Sequence, residues 1–216
     1  MIDEKQVSFL KKTFKANQYI SIVDLGAADL AHSIFFRKMF KNAKIYAIEP
    51  DRDNIEKCIS LAQKHGIVFS SFAISKEAGT KTFYPSLSYG NNNNWGYSGS
   101  IFKPVVNGKG NESAFYKTLK FDMSGYDVEC VSFDSFCDIH MIEEVDFLHM
   151  DAQGAEYDII SGIEKVFPRH IWAETNAFGE YETGVSLKDF DNLMLQKGYK
   201  KIERTANDTL YSFSLT

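Results

Sequence analysis

The chain has 216 residues and a formal net charge of −5, enough for one domain with an ample core. The acidic balance argues against a broad nucleic-acid surface, though not against a small neutral or cationic ligand. No apolar run reaches the roughly 20 residues of a membrane helix, and the start lacks a secretory pattern. Cys58, Cys130 and Cys137 have no disulfide-like or metal-like spacing, so the expectation is a cytoplasmic protein with reduced thiols and no nucleic-acid or membrane partner.

Residues 1–18 include IDEKQVSFLKKTFKAN, an amphipathic N-terminal helix with Val7, Leu10 and Phe14 on one face. The stretch YISIVDLGAADLAHSIFFRKMFKNAKIYAIEPD, 19–51, then reads as strand, glycine turn, helix and strand. Tyr19 to Val23 is a short apolar run typical of a buried parallel strand, with Asp24 at its end. Gly26 and the small Ala27 and Ala28 let the backbone turn sharply and approach a ligand closely. A helix from about Leu30 to Phe40 and a strand from Lys44 to Ile48 follow. Glu49 then stands roughly 20 residues beyond Gly26, where a carboxylate can accept both hydroxyls of an adenosine ribose. A nucleoside cofactor in a Rossmann-like domain is expected.

The turn lacks the second and third glycines of G-x-G-x-x-G, reading Gly26-Ala27-Ala28-Asp29-Leu30-Ala31. Asp29 also puts negative charge where a pyrophosphate would lie, which disfavours a nicotinamide-dependent oxidoreductase. A cofactor without phosphates suits the turn better, namely S-adenosylmethionine, whose ammonium and sulfonium groups Asp24 would favour.

Asp51 to Lys64 forms a helix capped by Asp51 and ended at His65-Gly66. Ile67 to Ile74 is a third strand, and Thr80 to Tyr84 alternates like another. Residues 86–112, SLSYGNNNNWGYSGSIFKPVVNGKGNE, form a long substrate or lid loop, with Tyr89, Trp95 and Tyr97 suited to stacking on a sugar or other flat face. The alternative is an insertion whose rings only cover the domain edge. Strands follow at Asp127–Ser132, at Val145–Met150 ending in Asp151, and at Ile171–Ala173 ending in Glu174. Helices open at Phe133, span Ala155–Gly162 and span Leu187–Lys197, and a hairpin around Asn207-Asp208 closes the chain. Three strand–helix units on each side of the loop predict one doubly wound α/β domain over 1–216, with helices on both faces and an antiparallel edge strand.

VDFLHMDAQGAEYDIISG, 145–162, places Asp151 at a strand's carboxyl end, where open α/β sheets bind ligands; a helix cap is its other reading. With DLGAA, IYAIEP, AIS, FDSF, IWAE and LQKGY, the segment resembles the FkbM family of S-adenosylmethionine-dependent methyltransferases, from about residue 20 to residue 213. The resemblance implies a class I methyltransferase fold, with a seven-stranded, mostly parallel sheet whose last strand is antiparallel. It implies O-methylation of a small-molecule or glycan hydroxyl. Asp24, Gly26 and Ala27 would line the methionine end of the cofactor, and Glu49 with Pro50 would hold the ribose. Ser71, Phe72 and Ala73 would border the adenine, Asp151 would face the transferred methyl, and Ser33 matches a serine often found in the first helix. The chain departs from the family at Leu30, usually glycine, at Ala28, often asparagine, and at His149, often lysine. Those departures motivate a competing reading, a non-catalytic cofactor-binding module.

Methyl transfer is an in-line displacement, so the acceptor hydroxyl must be positioned and must lose its proton. Asp151 is the first choice for base or orienting group, and His149, two residues earlier on the same strand face, the second. Glu156 and Glu174 can reach the same mouth as substrate contacts. The spacing of these carboxylates demands no metal, and none is expected. His32, His65, His140 and His170 are scattered and are not expected in the site. Acceptor identity and the choice between O- and N-methylation are not legible.

Overall fold

The computed structural model describes residues 2–89, 96–105, 118–175 and 179–214. Four apolar segments become strands buried along nearly their whole length: β1 (Ser21–Leu25), β2 (Lys44–Ile48), β9 (Phe147–Met150) and β10 (His170–Glu174). Near-continuous apolar runs are what a parallel sheet covered on both faces requires. Alternation along the strands sends Val23, Leu25, Ile48, Leu148 and Met150 to one core, against α4 (Phe133–His140), α5 (Glu156–Ser161) and α6 (Leu187–Gln196). Ile22, Ile45, Ala47, Phe147 and Trp172 face the other core, against α1 (Glu4–Thr13), α2 (Ala31–Met39) and α3 (Arg52–His65).

With β3 (Val68–Ser70), β11 (Tyr199–Arg204) and β12 (Asp208–Phe213), the main sheet has seven strands in the order β11-β12-β10-β9-β1-β2-β3. The ladders among β3, β2, β1, β9 and β10 are parallel, and β12 runs antiparallel to both its neighbours. The expected mostly parallel sheet with an antiparallel last strand is therefore present. The antiparallel strand is not at the edge, however, because the terminal hairpin folds back and inserts β12 between β10 and β11. Strand order reverses at β1, so the carboxyl ends of β1 and β9 mark the ligand crevice of an open α/β sheet.

Other segments depart from expectation. Ile67–Ile74 is broken in two: β3 stays in the main sheet, while β4 (Ala73–Ile74) leaves it to pair with β8 (Tyr126–Val131). β8 also pairs with β5 (Gly79–Phe83), giving a separate three-stranded sheet, so the strand expected at Asp127–Ser132 does not extend the main one. The expected loop of 86–112 begins with β6 (Ser86–Tyr89), which pairs with β7 (Leu119–Phe121). Its residues 90–95 and 106–112 lie outside the described ones. On α1 the buried residues are Gln6 and Leu10, while Val7 is half-buried.

Local signals held elsewhere. Asp51 caps α3 by accepting from Asp53 N, and Gly66 ends that helix in the left-handed conformation at φ +63°. The three cysteines are buried and unpaired, and burial pushes the Cys58 and Cys137 thiols up to about 12. Among the described residues no helix is long and apolar enough to cross a membrane.

The β1–α2 turn contains two left-handed residues that are not glycine, Ala28 at φ 47° and Leu30 at φ 62°. Leu30 offsets the cost by complete burial, and its amide bonds Ala27 O at 2.7 Å. Ala28 is only half-buried, and its one amide bond, to Glu49, would survive replacement by glycine. Ala28→Gly is therefore expected to stabilise the fold by about 0.5–1 kcal/mol, the left-handed penalty less the added chain entropy. A melting temperature raised by about 1–4 °C would register it, and an unchanged or lower one would show the turn to be unstrained.

Candidate active site

The glycine turn and the end of β9 meet backbone to backbone. Gly26 (φ +73°) and Ala27 donate to Ile48 O, at 3.1 and 3.0 Å, and Asp151 N donates to Leu25 O at 3.0 Å. A Cβ on Gly26 would lie 1.8 Å from the Asp151 carbonyl oxygen, so only glycine fits. Glu49, at the end of β2, accepts from Ala28 N through Oε2 and from Asp51 N through Oε1, both at 2.8 Å. Burial pushes its carboxyl up to about 7, the two amides opposing the rise.

These elements enclose a cleft lined by Gly26, Ala28, Glu49, Pro50, Ala73 and Asp151, with apolar walls from Ile48, Ile74 and Ile159. The segment Gly96–Ile101 roofs it, tied down by Asn54 Nδ2 to Gly96 O (3.0 Å) and Ser100 Oγ to Gln153 O (2.7 Å). An apolar slot for a purine, a carboxylate that can accept a diol and a close approach at Gly26 fit an adenosyl cofactor. Among the described residues no Lys or Arg lines the cleft, so a pyrophosphate would find no counter-charge from them there.

The structure thus brings Gly26, Glu49, Pro50, Ala73 and Asp151 together, but not their expected companions. Ala27 is buried in the core beneath the turn. Ser71 is exposed and outside the cleft, and Phe72 packs on Phe136 with ring centroids 6.1 Å apart. Asp24 is not at the end of β1, because the strand continues to Leu25. It is fully buried, with Oδ1 2.8 Å from His149 Nδ1 and Oδ2 accepting from Ser33 Oγ. Asp24 and Ser33 therefore lie outside the lining of the cleft.

His149 does face the site. Burial works to lower its pKa, but the bonded Asp24 carboxylate more than offsets this, and the net shift is upward. The same pairing holds Asp24 below the usual carboxylate range despite burial. Nδ1 is engaged by Asp24, leaving Nε2 as the ring nitrogen open to a ligand. His32, not expected in the site, stacks on His149 with ring centroids 4.2 Å apart. Burial, followed by His149, pushes His32 down to about 4, so it is neutral at physiological pH.

Both histidines line a second, polar recess on the far side of Asp151, completed by Gln6, Glu174 and Asp208. Asp151 borders cleft and recess alike. Gln153, at φ 51°, bridges its neighbours: Nε2 donates to Asp151 Oδ1 at 2.6 Å and to Glu174 Oε2. Its Oε1 accepts from Tyr181 OH at 2.8 Å, so the carboxamide is held from both ends. Burial, then the Asp151 carboxylate, raises the Glu174 pKa well above its ordinary value.

Glu156 does not reach a substrate. It is fully buried and accepts from Ala152 N (2.8 Å) and Gly154 N (2.9 Å), shaping the turn it follows. Asp151 is not the helix cap, a position held by Ala155. Tyr97 lines the cofactor cleft, its hydroxyl donating to Asp29 Oδ2 at 3.2 Å, rather than the recess. Tyr89 ends β6 opposite Leu119, and Trp95 lies outside the described residues. Sequence reasoning missed Gln153, Tyr181, His32 and Gln6; a signal existed only for Gln153, which stands inside the D-x-Q-G motif.

Residues 24–201 match the model of the methyltransferase FkbM domain. The 2-O-methyltransferase NoeI of Sinorhizobium fredii (strain NBRC 101917 / NGR234) is 28% identical over 176 residues, covering 80% of this chain and 70% of that protein. Among solved structures, the fibrillarin pre-rRNA processing protein of Methanococcus jannaschii superposes with a TM-score of 0.53 at 11% identity, covering 98% of this chain and 74% of that one. Precorrin-6y C5,15-methyltransferase of Geobacter metallireducens gives 0.50 at 9% identity, covering 100% and 90%. At such identities the two structures share the fold and nothing more specific.

Proposed function

Because the chain belongs to the FkbM methyltransferase family, and is thereby an S-adenosylmethionine-dependent methyltransferase of class I fold, we propose that it methylates a hydroxyl of a small molecule, a saccharide or glycan. The observation that carries this reading is Asp151, which borders the cofactor cleft on one side and the polar, histidine-containing recess on the other. The relative named as a 2-O-methyltransferase supports a hydroxyl as the acceptor.

Gly26, Glu49, Pro50 and Ala73 hold the cofactor, which when bound supplies a methyl group on a sulfonium. Asp151 orients the acceptor hydroxyl, and Gln153 fixes the Asp151 rotamer. His149 Nε2 would accept the hydroxyl proton, and Asp24 would hold the ring and stabilise the imidazolium. The Asp24 bond favours His149 over Asp151 as the base. The roof over the cleft excludes water from the reacting groups.

Binding should be pH-dependent through Glu49. A ribose diol donates to the ionised carboxylate, so protonation below about 7 removes acceptors that the ligand needs. S-adenosylhomocysteine affinity is expected to fall as pH drops through about 7, by up to about tenfold per unit, and to level above it. Glu49→Gln should bind more weakly and without this slope. Calorimetric titration from about pH 6 to about pH 8 checks both, and a flat wild-type profile would remove Glu49 from the ribose contact.

The function itself is tested by incubating the protein with S-adenosylmethionine and a panel of neutral, amino and acidic glycosides, then locating any new methyl group by mass spectrometry and NMR. A methyl on oxygen supports the reading. A methyl on nitrogen, or turnover confined to non-sugar acceptors, overturns it.

A further inference from the structure

Helix α1 carries into the recess a group that the fold itself does not use. Gln6 is 1% exposed, lines the recess beside His149, and has no hydrogen-bond partner for Oε1 or Nε2 among the described residues. Buried carboxamides are normally satisfied, so an unpaired donor and acceptor facing a polar cavity marks a place for a ligand. The remaining polar walls are dominated by Asp3, Asp151, Glu174 and Asp208, and no Lys or Arg is among them in the described residues.

We infer that this recess is the acceptor-binding site, fitted to a ring that bears several hydroxyls and no negative charge, with Gln6 reading two adjacent hydroxyls. The inference rests on the O-methyltransferase reading and adds to it the side of Asp151 that the acceptor occupies, the charge it must lack and the residue that reads it. Carboxylates accept hydrogen bonds from hydroxyls or from an ammonium group. Removed from bulk water, Asp3, Asp151 and Asp208 repel a carboxylate or phosphate on the ligand. The planar carboxamide donates to one hydroxyl oxygen and accepts from its neighbour, a match for a vicinal pair. A metal ion does not account for the carboxylates, since no group of three or more metal-binding side chains is suitably disposed among the described residues. Because Asp151 is common to recess and cleft, a ring seated here presents a hydroxyl both to His149 and to the cofactor side. Acceptor selection then falls to α1, to Asn207 in the turn before β12 and to Asp208, the first residue of β12, rather than to the aromatic residues of 86–112.

The test uses protein saturated with S-adenosylhomocysteine and methyl glycosides of the gluco, manno and galacto series, each as the neutral, 2-amino and uronate form. Saturation-transfer NMR is expected to show binding of neutral or amino glycosides and none of uronates. Gln6→Leu, similar in size and apolar, should melt no lower than wild type and bind S-adenosylhomocysteine equally, yet lose the glycoside signal. With a methylated acceptor it should raise KM at least about tenfold with little change in kcat. Gln6→Glu keeps the shape but loses the donor, and should abolish binding of neutral glycosides in particular. Uronate binding equal to neutral binding, glycoside binding that survives both variants, or no binding by any glycoside would each overturn the assignment. A glycoside that binds in a Gln6-dependent way but is never methylated would instead remove the O-methyltransferase reading and leave the recess as a glycoside site.

Discussion

Replacing His149 with glutamine is expected to lower kcat by about 10²–10⁴-fold while leaving S-adenosylhomocysteine affinity nearly unchanged. The expectation follows from the pairing with Asp24, whose Oδ1 lies 2.8 Å from Nδ1 at a fully buried position. That contact fixes the tautomer, directs Nε2 toward the recess and raises the pKa above the ordinary imidazole value. A base must be deprotonated to act, so at saturating cofactor wild-type kcat/KM for the acceptor should rise with pH through a midpoint above 6.5, and the variant should lack that limb. Asp24→Asn should lose activity for the same reason, because an amide in place of the carboxylate no longer favours the required tautomer or the charged ring. Single-turnover rates across pH, with melting curves to confirm folding, are the measurement. A His149→Gln protein that keeps most of its activity would return the proton to Asp151.

Gly26→Ala is expected to be the most damaging single substitution in the cleft, with a loss of about 4 kcal/mol or more. Two costs combine. Any side chain pays for φ +73°, and the new Cβ would sit 1.8 Å from a backbone oxygen of β9 that no rotamer change can move. Relief requires the ends of β1 and β9 to separate, which opens the cleft itself. Set against a typical total stability of about 5–15 kcal/mol, the variant should melt far below wild type or fail to accumulate as soluble protein, with no measurable cofactor binding. Equal melting temperatures would show that the two strand ends are not in contact. The opposite sign expected for Ala28→Gly, two residues on, makes the pair of variants diagnostic of the turn.

What was legible from the sequence is what local chemistry dictates. The run from β1 through Gly26 to Glu49 announced itself by apolar length, a glycine and a carboxylate at a fixed distance. Asp151 was legible for a topological reason, since strand ends at the sheet's reversal point are where ligands bind. The Asp24–His149 bond was not, because it joins residues 125 positions apart and depends on which strand docks beside β1 and in which register. Glu156 misled because nothing in its spacing says whether a carboxylate turns outward or folds onto its own turn. Gln6 was missed because nothing in an amphipathic pattern marks a glutamine as buried, and only the docking of α1 buries it. The departure of β4 and β8 from the main sheet was hidden because a two-residue strand carries no period to read.

The long separation between Asp24 and His149 also bears on how the enzyme comes into being. During synthesis, β1, α2 and β2 emerge well before β9, and until β9 arrives Asp24 has no imidazole to justify its burial. The parallel β1–β9 ladder closes across most of the chain, the kind of distant pairing that forms slowly. If His149 is the base proposed above, its pairing with Asp24 is missing from every partly made chain and forms only when the middle of the sheet is complete.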